Sequence, residues 1–315
     1  MSYKSICPLC GSRKARIKHE ALIKDLVKLY KRLVGSVIKK ELAQEGKLTL
    51  YVCDNCDLMY FSPLIAGSES FYEALQKNDW YYLEEKFEYD VARTYIKEND
   101  FVLEIGCGKG AFAKFISSPH FTGLEFSENA IQMSRNLGID VRREPIEQHA
   151  QENSEKYDIV CAFQVLEHVP NVSEFLSHAV NCIKPGGLLI ISVPSADSFV
   201  SIATNNVLNL PPHHVTWWSD KALQYIASHF SLDVISLIHE PLQAIHKAWY
   251  ASVITRRSLV HMFKYNHNPL IDISLGFRMI SLLAKALAFF VYRGFDDEKV
   301  LPKGHSVIFV CRKPA

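Results

Sequence analysis

Short apolar runs alternate with longer amphipathic stretches through the middle and the end of the chain. The runs occupy residues 101–103, 121–125, 140–142, 157–163, 188–193, 232–237 and 306–311; the run at 140–142 is the weakest, with Val141 as its only apolar residue. Apolar runs of this length, bounded by turn residues, are typical of buried strands, and the stretches between several of them have the spacing of helices. Ser127 and Ser219 precede two such stretches as N-caps. The pattern predicts an α/β fold.

A different pattern separates the last two runs. Residues 243–294 are strongly apolar, but Arg278 and Lys285 interrupt them, and no stretch of about 20 uninterrupted apolar residues exists. We expect a helical insertion at 243–299 that packs on the sheet as a cap and does not span a membrane. The alternative is a surface for a lipid-linked acceptor or for a second copy of the chain in a homodimer.

A third pattern occupies residues 1–66, where two Cys-x-x-Cys turns are far apart. Each turn can place two thiolates on one metal ion, and four sulfurs make a closed structural Zn²⁺ site. Apolar residues between 22 and 38 recur at helical spacing and predict an inserted helix with a basic face. The residues around the second turn predict a small β-hairpin. Chance pairing of buried thiols is the alternative. The expected zinc ligands are Cys7, Cys10, Cys53 and Cys56.

Composition and charge narrow the class of protein. The chain has 315 residues, of which 48% are hydrophobic and 22% charged, so it can bury a sizeable core in about two domains. The start of the chain lacks the apolar region of a secretory signal, and we therefore expect a cytoplasmic protein with reduced cysteines. Residues 1–50 carry a charge of +8. This basic front is expected to attract phosphate, either in a nucleotide-linked substrate or in RNA. The alternative is that it is only a solvated helix face.

The stretch FVLEIGCGKG, residues 101–110, joins the first apolar run to three glycines. Glycine tolerates positive φ and lets a ligand lie against the backbone, and a helix is expected to start near Ala111. The glycines alone also fit a dinucleotide pattern, which leaves a dehydrogenase open. Glu104 favours a cationic ligand. Burying a carboxylate at the end of a strand costs free energy unless a cation or hydrogen-bond donors balance its charge.

This stretch resembles motif I of the class I methyltransferases, which bind S-adenosylmethionine. Two later stretches strengthen the resemblance: Leu166-Glu167-His168-Val169 after the fourth run, and residues 210–219, which are similar to a Pro-Pro-x-His segment of the family's glycan and small-molecule branch. The resemblance implies a Rossmann-like seven-stranded mixed sheet with helices on both faces and an antiparallel last strand. It covers about residues 70 to 245 and the final run.

Several residues are expected to hold the cofactor. Glu125 lies 19 residues beyond Gly106, a spacing at which a carboxylate reaches ribose hydroxyls, and residues 145–147 follow the third run where adenine can be held. Aromatic residues of 67–100, among them Tyr72 and Tyr82, are expected to cover the site or simply to pack. The expected cofactor-binding residues are Glu104, Gly106, Gly108, Gly110, Glu125, Phe126, Ile146, Glu147 and Gln164.

Three histidines are candidates for a catalytic base. His168 belongs to the stretch after the fourth run, and His213 and His214 to the Pro-Pro-x-His segment. Imidazole titrates near neutral pH and can accept a hydroxyl proton during methylation. The alternative is that these histidines only order their turns.

The sequence thus predicts four parts: a zinc module (1–66), a helical lead-in (67–100), a methyltransferase domain (101–242 and 300–315) and the insertion (243–299). The expected reaction is O-methylation of a sugar, glycan or other small hydroxyl acceptor, either free or linked to a nucleotide or a lipid, with S-adenosylmethionine as donor. Nucleic acid is a less expected partner. The alternatives are an RNA methyltransferase that uses the basic zinc front, and a non-catalytic protein that binds S-adenosylmethionine.

Overall fold

The computed structural model describes residues 6–43, 45–77, 86–292 and 301–315. Within them the chain forms two β-sheets and ten α-helices. The strands are β1 (Ala15–Leu22), β2 (Lys47–Cys53), β3 (Met59–Ser62), β4 (Val102–Ile105), β5 (Phe121–Leu124), β6 (Val141–Arg142), β7 (Tyr157–Phe163), β8 (Ile183–Pro194), β9 (Thr216–Trp217), β10 (Asp233–Pro241) and β11 (Lys303–Arg312). The helices are α1 (Ile23–Val34), α2 (Ile38–Glu41), α3 (Glu69–Gln76), α4 (Phe87–Arg93), α5 (Glu128–Asn136), α6 (Ile146–Glu152), α7 (Val172–Asn181), α8 (Asp220–His229), α9 (Ala244–Met262) and α10 (Leu275–Tyr292).

The larger sheet has seven strands in the order β10-β11-β8-β7-β4-β5-β6. The β8-β7-β4-β5-β6 neighbours pair in parallel, whereas β11 runs antiparallel to both β8 and β10. Each of the seven apolar runs in the sequence corresponds to one of these strands. The prediction of a Rossmann-like mixed sheet with an antiparallel last strand is therefore confirmed.

The smaller sheet has four strands in the order β1-β2-β3-β9. The β2-β3 hairpin was predicted, and it pairs Leu50 with Phe61 and Val52 with Met59. Strand β9 lies within the Pro-Pro-x-His segment, after its two histidines, and pairs with β3 through Trp217 and Met59. The cysteine-rich front and the histidine-bearing segment therefore share one sheet.

Both predicted serine caps are present. The Ser127 hydroxyl accepts a hydrogen bond from the Ala130 N–H at the start of α5, and Ser219 does the same for Ala222 in α8. Each cap satisfies one of the backbone donors that the first turn of a helix leaves without a partner.

Two local predictions are wrong. The glycine turn is followed by a short 3₁₀ turn, Phe112–Lys114, and not by an α-helix. The expected single helix over 22–38 is shortened at its start, because Leu22 belongs to strand β1, and it is divided into α1 and α2, because Gly35, at φ +63°, ends α1. Gly186 and Gly187 lie within β8, where a Cβ on Gly187 would lie 2.7 Å from the Asp158 carbonyl oxygen.

The predicted helical insertion consists of α9 and α10, which pack against each other. Within the described residues, α10 alone is long and apolar enough to cross a membrane by length and composition. Only 22% of that stretch is buried inside the protein. Arg278 and Lys285 therefore do not by themselves exclude a span. That the insertion does not span a membrane stays a prediction, as does the division of the chain into four parts.

Candidate functional site

One large cavity, of about 1350 Å³, opens at the carboxyl ends of β4, β5 and β7. In α/β sheets this edge is where ligands bind, because the strand order reverses there and leaves a crevice. Helix α3, the start of α4 and the Pro-Pro-x-His segment form further walls. The cavity therefore brings together most of the residues that the sequence analysis selected from distant parts of the chain.

The glycine turn forms one wall of this cavity. Gly106 has φ +76°, and a Cβ there would lie 2.5 Å from the Val165 side chain. Gly108, at φ +52°, also lines the cavity. Gly110 does not line it, because a Cβ on Gly110 would point at Ile139 at 2.5 Å, so this glycine is needed for packing of the loop. A ligand can thus lie directly against the backbone of Gly106 and Gly108.

Glu104 lies at the base of the same turn, is only 1% exposed and is not among the residues that line the cavity. Its Oε2 atom has no hydrogen-bond partner among the described residues. Burial raises the pKa of this carboxyl to about 8, while the nearby charge of Lys86 opposes the rise. A buried acceptor without a partner is costly, and a cationic ligand against the turn would remove that cost. The residue fits the ammonium group of S-adenosylmethionine.

The carboxylate of Glu125 is largely used within the protein. It accepts hydrogen bonds from the backbone N–H groups of Gly108 at 2.9 Å, Phe126 at 2.8 Å and Ser127 at 2.8 Å. This holds the glycine turn against the end of β5. A carboxylate offers about four lone-pair sites, so one remains for a ribose hydroxyl. The predicted ribose ligand is therefore also a support of the turn, a role that the spacing did not indicate.

The remaining predicted cofactor residues lie around the cavity. Phe126, Ile146 and Glu147 line it, and so does Gln164. The Gln164 side-chain amide donates to Ser306 Oγ at 3.1 Å and to Glu88 Oε1 at 3.3 Å. These bonds fix Gln164, at φ +58°, between α4 and β11.

The three candidate histidines meet in one cluster. The His213 and His214 rings stack at 4.5 Å between centroids, and the His168 ring lies 4.6 and 4.8 Å from them. Each Nδ1 donates to a fixed oxygen: His168 to the His213 carbonyl at 2.5 Å, His213 to the Leu208 carbonyl at 2.8 Å and His214 to Asn209 Oδ1 at 3.0 Å. These bonds leave the Nε2 atoms as acceptors.

A fourth residue, Glu167, completes the cluster. Its Oε1 atom lies 3.8 Å from His168 Nε2 and 3.9 Å from His214 Nε2, and neither carboxyl oxygen has a hydrogen-bond partner among the described residues. Burial raises the Glu167 pKa to about 8, lowers the His168 pKa to about 4 and lowers the His214 pKa well below its usual value. An oxygen atom to one side of the line that joins Oε1 and an Nε2, at about 2.8 Å from each, can bond to both.

Several residues of the site were not predicted from the sequence. Glu167 stands inside the quoted Leu-Glu-His-Val stretch, so the motif could have indicated it. Glu88, Glu240 and Trp249 also line the cavity, but they come from segments without a motif. Tyr72 lies at the histidines, with its hydroxyl 3.2 Å from His168 Nδ1, and the Tyr82 prediction falls outside the described residues.

The four cysteines of the front form a second cluster, away from the cavity. The Cys7 and Cys56 sulfurs are 3.5 Å apart, as are those of Cys10 and Cys53, and all four lie within 4.8 Å of one another. Sulfurs around a tetrahedral Zn²⁺, each at ~2.3 Å, are separated by about 3.8 Å. All eight cysteines of the chain are free thiols. The donor set and its spacing fit a structural zinc ion.

Comparisons with known proteins agree with this geometry. A family model described as a methyltransferase domain matches residues 76–237. The chain is 30% identical over 139 residues to a ubiquinone biosynthesis O-methyltransferase of Hydrogenovibrio crunogenus, a match that covers 40% of this chain and 57% of that protein. It is 28% identical over 171 residues to the protein of the same name from Pseudomonas savastanoi pv. phaseolicola, covering 46% and 71%.

The chain thus spans little more than half the length of the first of these relatives. The crystal structure of a SAM dependent methyltransferase from Archaeoglobus fulgidus has a TM-score of 0.51 and 18% identity, covering 77% of this chain and 100% of that one. That likeness is one of fold. Because the family model covers just over half of the 315 residues, including the glycine turn and the strands that surround the cavity, the chain belongs to the methyltransferase-domain family.

Proposed function

We propose that this protein transfers a methyl group from S-adenosylmethionine to a hydroxyl oxygen of a ring-bearing small molecule. The observation that carries the proposal is the continuity of one cavity from the glycine turn to the cluster of Glu167 and the histidines. At one end the lining residues Ile105 and Gly106 directly follow Glu104, whose buried carboxyl can balance a cation, and the other end offers neutral imidazoles for a proton. The curated relatives are named O-methyltransferases, which supports the choice of oxygen as acceptor.

S-adenosylmethionine, when bound, supplies a methyl group activated by a positively charged sulfur. The residues that fit it are Glu104 for the ammonium group, the backbone of Gly106 and Gly108 for close approach, and Glu125 for the ribose. Catalysis then depends mainly on how the chain orients the acceptor, since a well-oriented pair of reactants gains most of the rate.

His214 is the proposed acceptor of the hydroxyl proton. Its Nδ1–H is held by Asn209, which leaves Nε2 to take a proton, and burial keeps the ring neutral by lowering its pKa. The Glu167 carboxyl, whose pKa burial raises to about 8, lies 3.9 Å from Nε2 and stabilises the imidazolium when it is ionised. His168 stands in the same relation to Glu167 at 3.8 Å and orients the acceptor from the other side.

The acceptor's ring is proposed to lie against the aromatic wall of the cavity. His246, Trp249 and His305 are neighbours there, with ring centroids 5.5 to 6.3 Å apart. Aromatic faces bind both phenols and the apolar faces of sugars. A sugar or glycan acceptor therefore stays part of the proposal beside a phenolic one. An acceptor panel with both classes, incubated with isotope-labelled S-adenosylmethionine, separates them.

The first test is His214→Asn. Asparagine keeps a donor for Asn209 near the position of Nδ1 and removes Nε2. We expect kcat to fall about 10²- to 10⁴-fold with the cofactor affinity unchanged, and Glu167→Gln to lower kcat in the same direction because an amide cannot balance the imidazolium. His229→Asn, on an exposed histidine at the end of α8, is the matched control. Unchanged turnover of both cavity variants would remove the proton assignment.

Labelled cofactor also distinguishes the competing functions. Tight binding of S-adenosylmethionine without product from any small acceptor would indicate a non-catalytic binding protein. Methylation of RNA but not of small molecules would indicate that the basic front recognises nucleic acid. Either outcome would overturn the proposal of a small hydroxyl acceptor.

We further propose that Cys7, Cys10, Cys53 and Cys56 hold one structural Zn²⁺. The purified protein is expected to contain one equivalent of zinc by elemental mass spectrometry. Cys53→Ser should lose the metal, because three thiolates remain where four are needed. Cys182→Ser, at a buried cysteine that follows α7 and lies outside the cluster, should retain it. Equal zinc content in both variants would contradict the four-sulfur site.

A further inference from the structure

The hairpin of α9 and α10 has one buried face and one face that nothing in the described chain covers. Phe277, Ala284 and Ala288 are buried on the inner side of α10. Met279 is 63% exposed, Leu282 67% and Phe290 72%. Successive residues of an α-helix are turned by about 100°, so these three side chains share one side of α10, opposite to the buried residues. Leu275 and Phe289 extend the same exposed apolar stripe along the helix.

The charges of the hairpin are almost all of one sign. Residues 244–292 contain six Lys or Arg and one acid, Asp272. Asp272 accepts a hydrogen bond from the Ser274 N–H at 2.9 Å, so it is used at the start of α10. Arg278 and Lys285 are exposed and seven residues apart, which places both on one border of the apolar stripe. An apolar stripe with a basic border is the pattern of a helix that lies in a membrane interface.

A second feature of the hairpin points to the same ligand. A cavity of about 430 Å³ lies at the end of α9, lined by Arg257, Val260, His261, Lys264, Tyr265 and His267. None of these six lining residues is acidic. Two permanent cations and two imidazoles around one concave surface suit a phosphate group. The apolar stripe and this basic cavity belong to the same hairpin.

From these two features we infer that the α9-α10 hairpin docks on the surface of an anionic phospholipid bilayer. The apolar stripe enters the boundary of the acyl chains, Arg278 and Lys285 reach the headgroups, and the basic cavity takes one lipid phosphate. The stems of long basic side chains permit this arrangement, because they pack along apolar groups while the charge stays in water. This inference goes beyond methyl transfer and does not depend on it.

Two other occupants of this face are less favourable. A second copy of the chain would bring Arg257, Lys264, Arg278 and Lys285 against the same cations, and like charges repel. A transmembrane position of α10 would submerge Lys285 near the centre of the bilayer, at a cost of about 2.5 to 3.5 kcal/mol, and would bring Arg278 into the apolar region as well. It would also separate Phe277 from Arg256, whose guanidinium lies 5.5 Å from the ring centroid.

The docked orientation has a consequence for the site. Ile245, His246 and Trp249, in the first turns of α9, line the large cavity. A bilayer held by the hairpin would therefore lie near one wall of that cavity. A hydroxyl acceptor with an apolar tail could then enter from the membrane surface.

Flotation of the full-length protein with vesicles tests the inference. We expect binding to vesicles of phosphatidylcholine mixed with phosphatidylglycerol and at least about tenfold weaker binding to phosphatidylcholine alone, with binding to the mixture falling as salt rises. Leu282→Asp should abolish flotation, and Arg257→Glu with Lys264→Glu should reduce it by at least about tenfold. The control is Lys24→Glu with Lys31→Glu, on the exposed side of α1, which removes equal charge elsewhere and should leave flotation unchanged.

Three results would overturn the inference: no flotation with either vesicle, equal flotation of the wild-type protein and the Leu282→Asp variant, or equal loss of flotation in the α1 control. Sedimentation without vesicles tests the second copy. A dimer that Leu282→Asp dissociates would assign the face to self-association. Circular dichroism and S-adenosylmethionine binding of each variant, expected to match the wild-type protein, show that the fold is retained.

Discussion

Glu104 combines a cost in stability with a proposed role in binding. Its carboxyl is buried beneath the glycine turn, and Oε2 has no partner among the described residues. Because burial raises its pKa to about 8, the folded protein holds a proton that the unfolded chain releases at its ordinary value of 4.5. The free energy of unfolding therefore falls as pH rises from 4.5 to about 8. A residue retained at such a cost is more readily explained by a ligand than by packing.

We accordingly expect Glu104→Gln to stabilise the ligand-free protein at pH 8 and to change it little at pH 5, where the carboxyl is already protonated. The expected rise in melting temperature at pH 8 is a few degrees, roughly 2 to 4 °C for each kcal/mol. Differential scanning fluorimetry at both pH values measures it. The same variant should bind S-adenosylmethionine at least about tenfold more weakly.

Glu174→Gln, on an exposed glutamate of α7, is the matched control and should show neither effect. Equal shifts of Glu104→Gln at pH 5 and pH 8 would contradict the buried ionisation. Unchanged cofactor affinity would contradict the binding role, independently of the stability result.

At the scale of elements, the front of the chain is tied to the histidine-bearing segment. The Tyr30 hydroxyl of α1 lies 2.5 Å from the carbonyl oxygen of Val207 and 2.8 Å from that of Leu210, just before the two prolines and two histidines, so its one proton is shared between these two oxygens. Strand β9 follows these histidines and pairs with β3. The basic helix thus has a structural role in holding one wall of the cavity, whatever its exposed lysines contact.

Tyr30→Phe should therefore affect both stability and turnover. Removing the buried donor costs about 0.5 to 1.5 kcal/mol, because the carbonyl oxygens of Val207 and Leu210 keep backbone N–H donors. We expect a lower melting temperature and a reduced kcat, because the backbone that carries His213 and His214 loses a support, while cofactor affinity changes little. Tyr51→Phe, on the half-buried tyrosine that stacks on Tyr60, is the control. A normal kcat in a destabilised Tyr30→Phe variant would show that this hydrogen bond contributes to stability and not to turnover.

At the scale of the whole molecule, binding of the cofactor and of protons should be coupled. A cationic ligand favours the ionised form of Glu104, whose pKa in the free protein is about 8. Binding must then release a proton below that pH, and affinity for S-adenosylmethionine should rise by up to about tenfold per pH unit between pH 5.5 and 7.5. Calorimetry in buffers of different ionisation enthalpy measures the released proton. A pH-independent affinity, or uptake of protons, would show that Glu104 does not meet the cation.

The sequence was sufficient for elements with local signals. Short runs located all seven strands of the larger sheet, and five of these strands pair in parallel, where a buried strand needs apolar side chains on both faces. Serine caps marked the starts of α5 and α8. Paired cysteines marked a cluster that the structure brings together. Residues 15–22 gave no comparable signal, because β1 lies at the edge of its sheet with much of its surface exposed and so carries mixed polar and apolar residues.

Only the tertiary structure decided which distant residues share a site. The order of the strands brings the turns after β4, β5 and β7 to one edge, and β9 brings the two adjacent histidines to Glu167 and His168. Motifs named most of these residues, but the hydrogen bonds that fix each imidazole, the use of Glu125 by the glycine turn and the packing role of Gly110 depend on contacts between segments far apart in the chain. Local sequence determines strands, caps and turns through backbone preference and burial, whereas pKa values, hydrogen-bond partners and the exposed stripe of α10 arise only when the elements pack.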